Sequence, residues 1–438
     1  MSRMWYYTLA VIALWIVNPE LRRIYDWRHG YAEFSPIVLL PLLALIPFVL
    51  SLTIGGGLRR ISRPLGIAAL LWTSGFTYAL ILGAIDNDVL PAAYAFANFV
   101  LPIVVGLWIA ADEAPFDVAL TRVTRLLFGV ATVVSVYGLF QFARLPAWDA
   151  YWLHSIARES HSFGLPFPYQ VRVFSMLNSP SILGAALALT LLASLPYLSL
   201  RRPWVLLQAP LWLVTLGLSR DRTGWIMLAV GLAVYLAVAR GRSALIASIG
   251  VLTLLTISSV GVVTLCSGST HVLENMSDRI NSMQDLSSDV SVIDRQRLYE
   301  HRIGDLETAP MGQGLGLFGT ATKLSDAART TDLDSGILGR LIEMGIPGAL
   351  AMAASLALIS LTSLLLLYEA RKRGDERTCR TMALALATVT SILVLEISMD
   401  ATGLVFLYLW LFAALALRAE PVHREDRFLT AAPCGIAA

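Results

Sequence analysis

Residues 346–368 read IPGALAMAASLALISLTSLLLLY, an unbroken apolar stretch with no charged side chain. A helix that crosses a bilayer needs about 20 predominantly apolar residues, because no water is present there to satisfy its backbone polar groups. This stretch is therefore predicted to be a membrane-spanning helix.

The rest of the chain repeats this pattern. Of its 438 residues 56% are hydrophobic and only 15% are charged, and its mean hydropathy is +0.67, whereas soluble domains carry about 25% charged residues. We expect one all-α, polytopic membrane domain spanning residues 1–438. Its twelve predicted spanning helices are 4–17, 35–55, 65–85, 89–111, 126–144, 181–200, 203–219, 223–240, 243–266, 346–368, 381–398 and 401–418.

Basic residues occur in alternate loops, which predicts that these loops share the cytoplasmic face, with both termini. The residues are Arg59, Arg60, Arg63, Arg122, Arg125, Arg201, Arg202, Arg240, Arg242, Arg371, Lys372, Arg373 and Arg377. Arg22, Arg23 and Arg28 conflict with this orientation, since they fall on the outer face. A net charge of +2 is too small to indicate a nucleic-acid partner.

Two long segments then lie on the outer face, residues 145–180 and 267–345. The first is rich in tryptophan, tyrosine, histidine and proline, which is typical of an interfacial or re-entrant segment. The second has helix-compatible apolar spacing and predicts a small helical lid.

Two arginines stand at the hairpin between helices 203–219 and 223–240, which reads Leu218-Ser219-Arg220-Asp221-Arg222-Thr223-Gly224-Trp225. Arginine near membrane depth is costly, and its presence there is a functional hypothesis by default. The plainer interpretation is that the side chains reach the interface and that Asp221 neutralises one of them.

Three further motifs follow along the predicted lid. Residues 294–299 read DRQRLY, residues 310–318 read PMGQGLGLF, and residues 332–348 read DLDSGILGRLIEMGIPG. Alternating glycines suit a turn whose backbone approaches something closely. The final Gly-Ile-Pro-Gly predicts a break between a short outer helix and helix 346–368.

In order and spacing, these motifs resemble the O-antigen ligase and polymerase superfamily of bacterial envelope glycosyltransferases. The resemblance covers about 180 residues, from 170 to 350, and includes Arg172-Val173-Phe174-Ser175-Met176-Leu177-Asn178-Ser179-Pro180. The other matching residues are Arg222, Arg295, Tyr299, Pro310, Gly312, Gly314, Gly316, Phe318, Leu338, Leu341, Glu343, Gly345 and Gly348.

The resemblance implies a GT-C-like fold and an inverting glycosyltransferase of the bacterial inner membrane, with its active site at the periplasmic face. Asp334 stands where the ligases have histidine, and Ser335 replaces an asparagine. Because an acidic residue there is more similar to the polymerase branch, we expect a polysaccharide polymerase that uses a polyprenyl-pyrophosphate-linked glycan. The alternatives are a ligase that transfers the glycan to lipid A core or another terminal acceptor, and a transporter of the lipid-linked sugar.

This chemistry assigns roles to particular residues. Pyrophosphate needs cations, for which arginine forks are suited. Arg222 and Arg295 are the first candidates, and the assisting ones are Arg220, Arg297 and Arg172. The acceptor hydroxyl needs a general base. The first choice is Asp334, and the alternatives are Asp332, Glu300, His301 and His161. Tyr299, the aromatic residue of the lid motif, is a further candidate site residue.

Plainer interpretations stay open for several of these residues. Arg297 with Glu300, and Arg340 with Glu343, have the spacing of structural ion pairs within a helix. His154 and His161 also suit a membrane interface. Asp86-Asn87-Asp88 imitates a metal-binding motif but has no further ligand in sight, and neither a metal nor another cofactor is expected. The expected partners are the lipid-linked glycan, membrane lipid, and a chain-length regulator or other polysaccharide-assembly proteins.

Overall fold

The computed structural model describes residues 3–86, 88–156, 163–197, 203–239, 299, 304, 306, 308–324, 335–399 and 403–418. Within these residues the chain is helical, apart from turns and one isolated β-bridge between Gly164 and Val171. The helices are α1 Arg3–His29, α2 Leu40–Leu43, α3 Ile46–Thr53, α4 Arg63–Asp86, α5 Val89–Val100, α6 Pro102–Ala111, α7 Phe116–Arg144, α8 Ala147–Ser155, α9 Pro180–Ser194, α10 Pro203–Ser219, α11 Arg222–Ala239, α12 Gly336–Arg373, α13 Glu376–Ser398 and α14 Gly403–Leu417.

The described helices confirm an all-α membrane protein. Eight helical stretches are long and apolar enough to cross a membrane, and α10 and α14 are shorter apolar helices. The eight are Pro36–Thr53, Arg63–Asp86, Val89–Ala111, Phe116–Arg144, Pro180–Tyr197, Arg222–Ala239, Gly336–Arg373 and Glu376–Ser398. The count of twelve stays a prediction, because helix 243–266 lies outside the described residues.

Several predicted boundaries were wrong for local reasons. The first helix continues to His29 through Pro19, because its charged residues find partners in the bundle. The stretch 35–55 is interrupted, because Pro36 and the prolines after it each remove a backbone donor. Helix α7 begins at Phe116, ten residues before its predicted start.

Two predicted breaks are confirmed. Helices α10 and α11 are separated by a sharp turn, with Ser219 ending one and Arg222 beginning the other. They do not pack along each other as the predicted hairpin would: α10 lies against α7 and α9, and α11 lies against α9 and α13. Helix α12 is interrupted at Gly345, whose φ of 61° and ψ of −175° are not helical. Only glycine adopts this region readily.

Helix α14 forms the centre of the core. Every one of its residues is buried, as expected for a helix that is apolar on all sides. Its Phe406 and Trp410 meet Trp72 of α4 edge-on, with ring centroids 5.1 and 5.8 Å apart. Interlocked aromatic rings of this kind fix the packing of α4 against α14.

The two ends of the bundle differ in character. At one end, Trp5 donates to Asp112 over 2.8 Å, Arg418 donates to Ile109 O over 2.8 Å, and Arg377 pairs with Asp117. We call this the basic end, because it gathers described residues of the arginine-rich alternate loops. The opposite end, called here the motif end, holds Asn178, Asp221, Gly336 and Ser398.

Candidate functional site

The turn between α10 and α11 is held by Arg172. The Arg172 guanidinium donates to Ser219 O over 3.2 Å and to Arg220 O over 3.1 Å. Arg220 has a left-handed φ of 52°, which permits the sharp reversal. A cation suits the carbonyls at the end of a helix. Arg172 therefore positions the turn that carries Arg220 and Arg222, and we call residues 219–222 the arginine turn.

Asp221 caps α11 and is only 4% exposed. Its carboxylate accepts a hydrogen bond from Gly224 N–H at 2.7 Å and another from the Ser181 hydroxyl at 3.0 Å. Burial raises the pKa of Asp221, against the opposing effects of these hydrogen bonds and of Arg172. The cap fixes the first turn of α11, so the half-buried Arg222 starts from a rigid position.

The motif segments converge on the last turn of α13. The Ser398 hydroxyl donates to Thr223 Oγ1 at 3.0 Å, and the Tyr299 hydroxyl donates to Ile397 O at 3.3 Å. A methyl group on Gly336 would overlap a carboxylate oxygen of Glu396. The starts of α11 and α12 and the aromatic residue of the lid motif therefore meet at residues 396–398, which we call the junction.

Glu396 is a residue that our sequence analysis missed. It lies in the last turn of a spanning helix and is 5% exposed. A carboxylate buried at such a place is costly and is a functional hypothesis by default. The signal was present in the sequence, since Glu396 is the only acidic residue in the apolar run 381–398.

The backbone of the glycine-rich loop does pack closely, and it packs against other parts of the protein. Gly312, Gly314 and Gly316 have φ values of 95°, 87° and 94°. Gln313 N–H donates to Ile342 O at 2.8 Å, and Leu315 N–H donates to Ala79 O at 2.9 Å. The loop is thus sealed against α4 and the break in α12, so its glycines serve packing.

Arg340 and Glu343 form a buried structural clasp for this loop. Their side chains pair with each other at 2% and 1% exposure. Glu343 Oε1 also accepts from Gly316 N–H at 3.0 Å and from Leu317 N–H at 3.1 Å. The Arg340 guanidinium lies 3.9 Å from the centre of the Phe99 ring, a cation–π contact. Of the two interpretations of this pair, the geometry supports the structural one.

Tyr299 also has a packing role. It lies against a small apolar cluster of Phe318, Leu338 and Ile342. Three positions of the motifs quoted above therefore come together as a core between the glycine-rich loop and the first turns of α12.

A second buried polar cluster lies between α1, α7 and α8. Arg23 pairs with Glu20 and, at 2.8 Å, with Asp149, and it donates to Leu177 O at 2.7 Å. Gln141 donates to Asp149 at 2.7 Å and accepts from Ser175 N–H at 2.8 Å. These contacts neutralise Arg23 inside the protein. Arg23 is therefore not a loop cation, and it no longer conflicts with the predicted orientation.

Asp149 is the most perturbed carboxyl of this cluster. Burial raises its pKa to about 6, against the opposing effect of Arg23 and with a further increase from Glu20. The cluster holds residues 172–178, and through Arg172 it supports the arginine turn. Sequence reasoning did not find it, because its members are far apart along the chain.

The remaining predicted site residues lie outside the described part of the chain. These are Asp334, Arg295, Arg297, Asp332, Glu300, His301 and His161. Two of their neighbours are described: Tyr299 at the junction, and Ser335, whose hydroxyl caps α12 by accepting from Leu338 N–H at 3.4 Å. Among the described residues, no three His, Cys, Asp or Glu side chains are grouped as a metal site would require.

The described site combines cations and a carboxylate at one end of a membrane bundle. Arg220 and Arg222 flank Asp221 in the chain, and Arg172 binds the carbonyls of the same turn. The arginine turn therefore brings together residues of the type that binds an anion such as a phosphate. Across the junction, Glu396 offers a carboxylate beside the first turn of α12. No protein-family model matches this sequence, and none of the curated proteins compared with it is significantly similar.

Proposed function

We propose that this protein is a polysaccharide polymerase, an inverting glycosyltransferase that joins lipid-linked oligosaccharides at the motif end. The observation that carries the proposal is the junction. There the arginine turn, the start of α12 and the buried Glu396 meet on one turn of α13, through the contact of Ser398 with Thr223 and that of Glu396 with Gly336.

The arginine turn supplies the chemistry that a polyprenyl-pyrophosphate donor needs. Pyrophosphate is already a good leaving group, so the enzyme has only to bind it and stabilise the charge that develops on it. Arg222 and Arg220 are proposed to bind the phosphates, while Arg172 holds the turn beneath them. Arg295 and Arg297 are the further candidates from the lid motif.

The acceptor side needs a base near the donor. In the proposed step, the acceptor hydroxyl oxygen attacks the anomeric carbon, the carbon–oxygen bond to the pyrophosphate breaks, and the hydroxyl proton passes to a carboxylate. Asp334, which precedes the cap Ser335 in the sequence, stays our first choice. Glu396 joins it as a described alternative, because its carboxylate lies against the start of the same helix.

The polarity of the bundle supports an orientation for this chemistry. Arginine-rich loops gather at the basic end, and such loops stay in the cytoplasm. The motif end then faces the periplasm of a bacterial inner membrane, with both termini in the cytoplasm. The expectation of a chain-length regulator as a partner belongs to this proposal.

The test uses the full chain in nanodiscs with an undecaprenyl-pyrophosphate oligosaccharide, alone and with a lipid A core acceptor. A ladder of longer lipid-linked products without the second acceptor is the expected result, and Arg222→Ala should lower its rate of formation by about 100-fold or more. Product formed only with lipid A core would make the protein a ligase. Movement of the lipid across the bilayer without transfer would make it a transporter.

A further inference from the structure

The polar cluster between α1, α7 and α8 places the phenol of Tyr137 between two carboxyl groups. The Tyr137 oxygen lies 2.5 Å from Glu20 Oε1 and 2.8 Å from Asp149 Oδ2. Both acids are buried, at 4% and 0% exposure. Two oxygen–oxygen contacts at such distances require two hydrogen atoms, one in each contact. The phenol supplies one of them, so the other must come from a carboxyl group.

The other donors of the cluster do not replace this hydrogen. Trp148 Nε1 lies 2.5 Å from Glu20 Oε1 and 2.8 Å from the Tyr137 oxygen, but its single hydrogen cannot lie between Tyr137 and Asp149. Gln141 donates to Asp149 Oδ2 at 2.7 Å. The orientation of this amide is fixed, because its oxygen accepts from two backbone N–H groups.

The charges of the cluster require the same hydrogen. Arg23 is the cation that the described residues place against both acids, so two ionised carboxylates would leave one negative charge in excess. A buried charge without a counter-charge is strongly destabilising, and one added proton makes the cluster neutral. The charged groups nearby are engaged elsewhere, since Arg22 pairs with Asp26 at 3.2 Å and Arg172 binds the arginine turn. The hydrogen count and the charge count therefore agree.

The neutral cluster anchors the segment that carries Arg172. Arg23 donates to the carbonyls of Ser175 and Leu177, and Gln141 accepts from Ser175 N–H at 2.8 Å. Ser175 needs this support, because its φ of 53° is a left-handed conformation that residues other than glycine rarely adopt. The cluster thus holds a strained stretch of backbone that leads directly from Arg172 to α9.

We propose that Glu20, Tyr137 and Asp149 share one bound proton, and that this proton positions the arginine turn. When the proton leaves to solvent water, an excess negative charge stays among α1, α7 and α8. The bonds of Arg23 to the two carbonyls then compete with two full anions, and the strained segment before α9 loses its anchor. Arg172 lies in that segment, so the arginine turn loses its fixed position. The effect on transfer rests on the proposed function, whereas proton binding rests on the contacts and charges of the cluster.

Glu20→Gln supplies the second hydrogen permanently. Its amide N–H donates to the Tyr137 oxygen, Tyr137 donates to Asp149, and the amide oxygen accepts from Arg23 in place of the carboxylate. The variant therefore keeps the contacts of the cluster and makes it neutral without a bound proton. Glu113→Gln is the matched control, because the Glu113 side chain is 78% exposed.

Infrared difference spectroscopy detects the bound proton directly. The full chain is placed in nanodiscs of an ether-linked phosphatidylcholine, which has no ester carbonyl of its own. Burial raises the pKa of Asp149 to about 6, so spectra at about pH 5 and about pH 8 bracket the titration.

We expect a C=O stretching band of a protonated carboxyl in wild type at about pH 5 and its loss at about pH 8. Glu20→Gln should remove this band, and Asp149→Asn should remove the same band because the proton is shared. Glu113→Gln should retain it. A band that is absent from wild type, or that persists in both cluster variants, would overturn the proposal.

The pH profile of transfer tests the positioning role. Between about pH 5 and about pH 8, the donor KM should rise at least about tenfold more in wild type than in Glu20→Gln, because only wild type has the proton to lose. Equal profiles, with the infrared band present, would reject the positioning role. The band in a protein without transfer activity would retain the proton site and reject the polymerase.

Discussion

Ser398, the last residue of α13, donates a hydrogen bond to Thr223 Oγ1 at 3.0 Å. Thr223 directly follows Arg222 in the sequence. This contact fixes the arginine turn to the turn of α13 that carries Glu396. A cationic segment and a buried carboxylate are thereby brought together from positions about 170 residues apart in the chain.

Glu396→Gln keeps the shape of the side chain and removes its charge. If Glu396 accepts the proton of the acceptor hydroxyl, transfer should fall about 100-fold or more, while binding of the lipid-linked donor is retained. The rate of product formation and the donor affinity are measured in nanodiscs. Glu376→Gln is the matched control, because Glu376 lies on the same helix and its side chain is 81% exposed. Transfer within twofold of wild type would return the base to Asp334.

Arg222→Ala should lower transfer by about 100-fold to 1,000-fold, the usual cost of losing one donor to developing charge. Arg222→Lys should recover only part of this loss, because an ammonium group cannot form the two parallel bonds of a guanidinium. Initial rates are measured at saturating donor. Arg59→Ala, an exposed arginine near the basic end, should leave the rate unchanged. Full activity of Arg222→Lys would show that charge alone matters.

Gly345→Ala tests the break in α12. Gly345 has a φ of 61°, and a methyl group there would overlap the backbone of Met311. We expect a loss of about 3 kcal/mol or more in the free energy of unfolding. Gly129→Ala is the control, since Gly129 lies within α7 with nothing within 4 Å of a new methyl group, and it should be neutral or stabilising by up to about 1 kcal/mol. Both are read from denaturant titration, and equal effects would contradict the assigned role of Gly345.

The sequence predicted local features of this fold better than contacts between distant segments. Apolar runs located most of the described helices, but not α8 or the second half of α1. Ser219 to Arg222 and Gly345 to Gly348 marked real breaks, because these signals depend on neighbouring residues only. The arginine motif likewise led to the arginine turn. The alternating glycines predicted a close approach of the loop backbone to a neighbour. The sequence could not show whether that neighbour is a ligand or, as observed, α4 and α12.

The buried partners of charged residues could not be predicted from neighbouring residues in the sequence. Arg23 appeared to be a loop residue that contradicted the orientation, because its partner Asp149 is 126 residues away in the chain. Its burial depends on the packing of α1 against α8, which the sequence alone does not show. Glu396 is recognisable in the sequence as an isolated acid in an apolar run. Its proposed role depends on its contact with Gly336, which only the folded structure shows.

Glu343→Gln tests the buried clasp of the glycine-rich loop. The amide keeps a carbonyl oxygen for the N–H groups of Gly316 and Leu317, while its NH2 group replaces the oxygen that accepts from Arg340, so the substitution removes both the charge and the hydrogen bond opposite Arg340. Removing the charge of Glu343 beside the buried Arg340 should cost about 3–5 kcal/mol. Glu369→Gln, which breaks the exposed pair with Arg373 at 58% exposure of the glutamate, should cost less than about 1 kcal/mol. A loss in Glu343→Gln as small as in this control would show that the clasp carries no net stability.

The cluster of α1, α7 and α8 makes stability depend on pH through Asp149. Because burial raises its pKa from 3.8 to about 6, the folded protein binds more protons at this site than the unfolded chain between about pH 4 and pH 6. The contribution of Asp149 to the free energy of unfolding is therefore present at low pH and is lost as the pH rises through 6.

Asp149→Asn removes this titration, so the comparison with wild type isolates it. Between pH 4 and pH 7, wild type should lose stability relative to Asp149→Asn by on the order of 2 kcal/mol, measured by thermal unfolding in nanodiscs. If wild type instead gained stability relative to Asp149→Asn as the pH rose, the attraction of Arg23 would outweigh the burial of the carboxyl, and the cluster would favour the ionised form.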